Sequence, residues 1–463
     1  MTTLLRKYLK RIQLFIIGIP FLFLVNCKQV VEVHSKQKPN IVLFVADDAG
    51  WHDVGYHGSE INTPNIDKLA EAGVELNRFY VYPTCSPSRA SLLTGKYASR
   101  FGIGAPIAMK SKKVLPTNVE TLPEALKKDG YQTAITGKWH LGLNLESGPS
   151  HYGFDYTYGY LHGQIDQYTH RYKNGDRSWY RNNEFVDEEG HATDLITNEV
   201  IKYLTAIREK SKPFFIYVPF SVPHYPLQEE DKWIEPYKNI NDFDSRKIFD
   251  AAMSHMDYSI GRIIQTLEDE KLMDNTIIVF MSDNGGEENW YPERETNVKL
   301  YDWKFGPYPK LGDNTPFKGF KRDLYEGGIR VPAVIYWKNH LTHRKVEQVV
   351  KVTDLFPTLV SVVDCDLTKD LKLDGENMWD FITSEKNVKT ERELYLKVPD
   401  KLIQRKGDWK LIHFGNLLEK GREELYNVNN DPNETKNVLK KYPEIRNELF
   451  KEMERQVKSD PGN

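Results

Sequence analysis

Along this chain, continuous apolar runs alternate with segments of helical spacing, and the apolar runs end in polar residues. "NIVLFVADDAG" stays apolar until Asp47 and Asp48. "YQTAITGKWHLG" stops before Lys138 and His140, "KPFFIYVPFSVPHYP" before His224, and "NTIIVFMSDNGG" at Asp283 and Asn284. Runs of this kind predict strands buried on both faces. Between them, "TPNIDKLAEAG", "TLPEALKKDG", "TDLITNEVIKYLTAIREK" and "MDYSIGRIIQTLEDEKL" carry helical spacing. The alternation predicts an α/β fold with a mostly parallel sheet covered by helices on both faces. Ligands of such sheets bind beyond the carboxyl ends of the strands, so four polar strand ends predict one site.

From about Arg392 the texture changes. "ELYLKVPD", "KLIQRKGDWKLIHFGN" and "EELYNVNNDPNETKNV" read as short antiparallel strands, and "YPEIRNELFKEMERQVK" as a closing helix. The expected division is a catalytic domain over 36–370 and a small α+β subdomain over 371–463. At the other end, Arg6, Lys7, Lys10 and Arg11 precede the apolar "IQLFIIGIPFLFLV". That stretch is short for a membrane span and predicts a signal peptide over residues 1–26. "LVNC" puts Cys27 where a bacterial lipoprotein carries its lipid anchor. The expectation is an exported protein held at a membrane, on the cell surface or in the periplasm, with plain secretion as the alternative.

Composition is that of an ordinary folded protein, with 40% hydrophobic and 28% charged residues. A net charge of −3 argues against nucleic acid as a partner. Loss of residues 1–26 removes four cations and no acids, leaving −7. An anionic substrate therefore has to be met by a local cluster of cations.

Asp47, Asp48, Asp283 and Asn284 offer hard oxygen donors without a nearby cysteine or paired histidine, which suits Ca²⁺ or Mg²⁺ better than zinc. Singly, Asp-Asp and Asp-Asn-Gly-Gly are also common turn sequences. Lys138 and His140 follow one strand. His224 sits between two prolines that fix its backbone, and Lys321 and Arg330 flank a glycine pair in "TPFKGFKRDLYEGGIRVP". "YPTCSPSRASLLTG" sets Cys85 among turn formers, with Ser86 as a candidate N-cap, Pro87 at the first helical position and Gly95 as the stop. Cys85 then lies at the partly positive end of a helix, with Arg89 one turn on and able to reach back to it. The third cysteine, Cys365, leaves a Cys85–Cys365 disulfide open. Taken together, these groups suit a pocket for an oxyanion ester.

"CSPSRASLLTG" resembles the motif of the type I sulfatases, in which the cysteine of C-x-P-x-R becomes formylglycine. "NIVLFVADDAGWHDVG", "TPNIDKLA", "TGKWHLG", "GFDYTYGYLHGQIDQYTH", "SDNGG", "LYEGGIRVPAV", "RKGDWKLI" and "ELYNVNNDPNE" extend the likeness over most of the chain. Its middle is most similar to the arylsulfatase B, or N-acetylgalactosamine-4-sulfatase, branch. The resemblance implies an alkaline-phosphatase-like fold with a small C-terminal sheet. It implies that a formylglycine-generating or anaerobic sulfatase-maturating enzyme converts Cys85. One Ca²⁺ would be held by Asp47, Asp48, Asp283, Asn284 and the converted residue 85. Arg89 would brace residue 85, Lys138 and Lys321 would grip sulfate oxygens, and spacing favours Lys321 over Lys318. His224 would protonate the leaving sugar oxygen, and His140 would take the proton of the second hydroxyl.

The substrate expected is a sulfated polysaccharide or oligosaccharide, with ulvan, carrageenan and glycosaminoglycans all open. The 26 Tyr and 9 Trp suit stacking on sugar rings. Two other readings compete: a phosphatase or phosphodiesterase of the same superfold, and a lipid-anchored glycan-binding protein without catalysis. Residues 291–313 match no pattern of the family and are expected to shape substrate choice.

Overall fold

A computed structural model describes residues 38–463 apart from 110, 292–305, 366–369, 387–388, 419 and 461–463. The predicted signal and Cys27 lie outside the described residues. Sixteen strands are present among the described residues. They are β1 Asn40–Ala46, β2 Val74–Leu76, β3 Phe79–Tyr80, β4 Gln132–Lys138, β5 Tyr156–Tyr160, β6 Trp179–Arg181, β7 Glu184–Phe185 and β8 Phe214–Pro219. The second half holds β9 Thr276–Ser282, β10 Ala333–Trp337, β11 Arg344–Val346, β12 Val350–Lys351, β13 Glu393–Val398, β14 Lys401–Lys406, β15 Trp409–Leu417 and β16 Lys420–Asn427.

Ten strands form one sheet in the order β11-β2-β10-β9-β1-β8-β4-β5-β6-β7. Its centre, β9-β1-β8-β4-β5, is parallel throughout, while β10, β6 and β7 run antiparallel to their neighbours. Strand β1 shows why its run had to be continuously apolar. Ile41, Leu43 and Val45 enter one hydrophobic cluster, and Val42, Phe44 and Ala46 enter a second on the opposite face. With both faces covered, Ile41, Val42, Leu43, Phe44, Val45 and Ala46 are all shut off from water.

The longer helices are α1 Pro64–Ala72, α2 Cys85–Thr94, α3 Leu122–Lys128, α4 Ala192–Lys202, α5 Asp244–Asp269, α6 Leu355–Val362 and α7 Pro443–Ser459. α3 opens with the full reciprocal capping box of Thr121 and Glu124. α5 begins twelve residues before the helix read from the sequence. Arg246, Asp250 and His255 are buried within that extra stretch and break the apolar stripe that marks a helix.

Strands β13 to β16 form an antiparallel sheet packed with α7 around Tyr395, Leu402, Leu411, Leu425, Leu449 and Met453. Residues 38–463 cluster as a single compact unit. An ion cluster ties the small sheet to the turn that leads into β10. Lys410 of β15 lies 3.1 Å from Glu326 and 2.8 Å from Glu434, all with fully buried side chains. Among the described residues no helix is long and apolar enough to cross a membrane.

Candidate active site

The carboxyl ends of β1, β4 and β9, the loop after β8 and the start of α2 converge. Asp47 and Asp48 follow β1, and Asp283 and Asn284 follow β9, the parallel neighbour of β1. Asp48 takes a left-handed backbone conformation (φ 76°), which turns its side chain back toward β9. Its N–H donates to Asp283 Oδ1 at 3.3 Å, and its Oδ1 accepts from Asn284 Nδ2 at 2.8 Å. The glycines of "SDNGG" permit close approach of the next loop, since a Cβ on Gly285 would stand 1.9 Å from the Gly327 carbonyl oxygen.

This oxygen cluster is buried and rich in negative charge. Burial, with Asp283 and Asp48 adding repulsion, pushes the Asp47 carboxyl up to about 7 despite the opposing Lys138. Asp47 Oδ1 and Asn284 Oδ1 are buried and accept no hydrogen bond among the described residues. Three carboxylates and an amide oxygen, two of them with a buried acceptor to spare, fit a hard divalent cation. Two lysines flank the cluster. Lys138 Nζ donates to Asp47 Oδ2 and Lys321 Nζ to Asp48 Oδ2, each at 2.6 Å. Lys318 instead lies 3.9 Å over the Tyr325 ring and reaches toward Glu434 in the C-terminal part. Arg330 stacks on Phe317 and Trp51, away from the acidic cluster.

Cys85 is the first residue of α2, so the N-cap is Thr84 rather than Ser86, and the Thr84 side chain makes no capping hydrogen bond. Ser86 instead donates to the His140 carbonyl at 2.9 Å, which carries its hydroxyl away from the orphan amides of the helix. Gly95 ends the helix in the left-handed conformation (φ 64°) as expected. Among the described residues no disulfide joins Cys85 to Cys365. The Cys85 sulfur lies 3.2 Å from His140 Nδ1, and that of Cys365 is 3.7 Å from the Ala125 carbonyl. Burial raises the Cys85 thiol above its usual pKa, the nearby Lys138 and Lys321 notwithstanding. An unmodified thiol here is therefore a poor nucleophile.

His140 and His224 are both held neutral. Burial is the first cause for each, reinforced by Lys138 and Arg89 at His140 and by Lys321 at His224. His140 Nε2 meets the Ile107 carbonyl at 3.1 Å, which assigns the proton there and leaves Nδ1 as an acceptor facing position 85. His224 Nδ1 meets the Tyr225 carbonyl at 2.6 Å, and its Nε2 faces Asp48 Oδ2 at 3.7 Å.

Arg89 departs from its expected contact. Its guanidinium donates to Asp283 Oδ2 from Nε (2.9 Å) and Nη2 (2.7 Å) and to the Lys138 carbonyl from Nη1 (3.2 Å). It orders the acidic cluster directly and touches residue 85 through no hydrogen bond. Two further residues escaped the sequence reading. Glu287 lies 3.6 Å from Lys321 Nζ and also binds Arg322. Their sequence signal was thin: Glu287 follows the "DNGG" turn and Arg322 adjoins Lys321. Residues 292–305 of the unmatched insertion lie outside the described residues, while Trp290 and Tyr308 at its base pair through their backbones and Trp290 stacks on Tyr225 at 4.3 Å.

Comparison with known proteins gives the chain a family. The Sulfatase family matches residues 39–365, and the C-terminal family of N-sulphoglucosamine sulphohydrolase matches 317–459. Arylsulfatase J of Mus musculus is 34% identical over 75% of this chain and 56% of its own length. N-acetylgalactosamine-6-sulfatase of Homo sapiens is 31% identical over 74% of this chain and 66% of its own. This chain thus spans less than two thirds of either relative. The solved structure of Ps i-CgsB in complex with k-i-k-neocarrahexaose is 30% identical, with a TM-score of 0.78 over 91% of this chain and 93% of that one. On the match of its family over most of its length, the chain belongs to the sulfatase family.

Proposed function

We propose that this protein hydrolyses sulfate esters of a sulfated glycan, using a formylglycine made from Cys85 and a Ca²⁺ ion. The observation that carries the reading is the convergence on one buried cysteine. Cys85 sits 3.2 Å from an acceptor nitrogen of neutral His140, beside two lysines and four oxygen donors. Asp47, Asp48, Asp283 and Asn284 would hold the ion together with residue 85, and its chemistry would be to lower the pKa of a bound hydroxyl and offset charge on sulfate.

The chain's own residues supply the rest. A hydrated aldehyde at position 85 offers one hydroxyl to attack sulfur and a second whose deprotonation expels sulfate. His140 Nδ1 faces that position and takes the proton. His224 presents Nε2 and gives a proton to the leaving sugar oxygen. Its depressed pKa makes the protonated form a strong acid, and the negative charge of a bound sulfate ester favours that protonation. Lys138 and Lys321 stabilise charge spreading over the sulfate oxygens, and Arg89 keeps Asp283 in place.

A sulfated polysaccharide or oligosaccharide fits the oligosaccharide present in the related Ps i-CgsB structure. Algal polymers such as ulvan or carrageenan and the N-acetylgalactosamine sulfates belong to this class. The reading further places a cleaved signal at 1–26, a lipid anchor on Cys27, a catalytic domain at 36–370 and a subdomain at 371–463. Export, maturation of Cys85 by a dedicated enzyme and a substrate-shaping role for residues 291–313 complete it. The test is tandem mass spectrometry of the peptide around residue 85 in material that cleaves an aryl sulfate. Aldehyde at that residue is expected. A plain thiol in active enzyme, or activity only on phosphate esters, overturns the reading.

A further inference from the structure

The site's cations are unequally placed. The side chains of Lys138, Arg89 and Lys321 are 0%, 1% and 3% exposed, so each is committed to the buried cluster. Arg322, the next residue after Lys321, is 50% exposed. Its guanidinium binds one oxygen of Glu287 through Nη1, while the other oxygen of Glu287 lies 3.6 Å from Lys321 Nζ. One buried carboxylate therefore connects a cation inside the pocket to a cation at its rim. Among the described residues the guanidinium of Arg322 has no other hydrogen-bond partner, which leaves most of its five donors available.

The backbone is bent to make this possible. In an extended segment, neighbouring side chains point to opposite sides. Arg322 is left-handed (φ 77°), rare for a long side chain, and this brings residues 321 and 322 onto the same carboxylate. The conformation is held from two sides: Arg322 N–H donates to the Pro83 carbonyl at 2.8 Å, and Lys401 Nζ donates to the Arg322 carbonyl at 3.3 Å. Strain of this kind persists where it serves a function. Pro83 precedes Cys85 by two residues, so the rim cation is anchored to the loop that carries the reactive position. Lys321, the neighbour of Arg322, lies 6.0 Å over the ring of Tyr225, the residue after His224. The adjoining Asp323 is matched by Lys401 at 3.6 Å and leaves the Arg322 charge uncancelled on that side.

We infer that Arg322 reads a second anionic group on the substrate, a carboxylate or sulfate close to the ester being cleaved, with Glu287 as the residue that positions it. The inference rests on the glycan sulfatase reading above and narrows its substrate class to glycans with more than one negative group. A planar guanidinium suits either oxyanion, and a chain of net charge −3 gains little from long-range attraction of a polyanion.

The experiment compares kcat/KM on matched oligosaccharides that share one cleavable sulfate. One partner of each pair adds a neighbouring sulfate or a neighbouring uronate, and 4-nitrophenyl sulfate serves as a reference. The readout is the ratio of the doubly to the singly anionic substrate, which is unaffected by any inactive fraction of a variant. Wild type is expected to favour the added anion in at least one pair, and which pair distinguishes sulfate from carboxylate. Arg322→Gln is expected to lower that ratio roughly tenfold, mainly through KM, the scale of one lost charge-assisted contact. Arg322→Lys is expected to retain part of it. No wild-type preference in either pair, or a wild-type ratio in Arg322→Gln, overturns the inference. Failure of wild type on every sulfate ester, 4-nitrophenyl sulfate included, overturns the sulfatase reading itself.

Discussion

Arg89 clamps Asp283 with two nitrogens on one carboxylate oxygen, at 2.9 and 2.7 Å, although the two residues are 194 positions apart. Both side chains are 1% exposed. Removing the arginine strands a charge in the interior. Arg89→Ala is expected to destabilise the fold by about 3–5 kcal/mol, the usual scale for breaking a buried pair. Denaturant unfolding measures it, and a loss below about 1 kcal/mol would mean that Asp283 finds another partner.

Cys85→Ala and Cys85→Ser are expected to abolish turnover of an aryl sulfate by several orders of magnitude while leaving thermal unfolding close to wild type. Neither change removes a structural bond beyond the contact to His140. Near-normal rates in either variant would dismiss residue 85 as the nucleophile.

Exhaustive chelation is expected to inhibit, and calcium to restore activity. A ligand bound only by the folded state also stabilises it, by about 2.7 kcal/mol at a hundredfold excess over Kd. The melting temperature should therefore rise with calcium in wild type and far less in Asp47→Asn. Indifference of both activity and melting to chelator would count against the oxygen cluster as a metal site.

A pH effect on stability is expected away from the active site. Burial alone would lower the pKa of His255, but Asp194 and Glu229 raise it to about 9. Its ring lies 2.9 Å from Glu229 and 3.5 Å from Asp194, with Trp233 stacked on it. Because the folded pKa exceeds the unfolded value, the stabilisation is complete below about pH 6.5 and fades as pH rises through about 9. A tenfold difference in proton affinity between the folded and unfolded chain is worth about 1.4 kcal/mol. Unfolding free energies from pH 6 to 10 should fall for wild type and stay flatter for His255→Gln.

Lys410 carries a similar load between the small sheet and the turn before β10. With Glu326 and Glu434 both buried against it, Lys410→Ala is expected to cost about 3–5 kcal/mol. Lys410→Met leaves the same charges unmatched and should not rescue the loss. Thermal melts of the two variants provide the check.

Much of the site was legible because strands buried on both faces must be apolar until they end. The four runs stopped at Asp47, Lys138, His224 and Asp283, and sheet order then brought those ends together. The motif around Cys85 was equally plain. Less visible was the start of α5, whose buried Arg246, Asp250 and His255 look like surface residues until their partners are known.

By itself, then, the sequence determined the α/β class, the strand ends that carry polar groups and the family, all of which follow from local patterning and short motifs. Tertiary structure alone decided that Arg89 serves Asp283, that His140 presents Nδ1 to position 85, and that Glu287 joins Lys321 to Arg322. Those are contacts between residues far apart in the chain or turned by an unusual backbone angle. Such contacts depend on strand order and loop geometry, which no local pattern encodes.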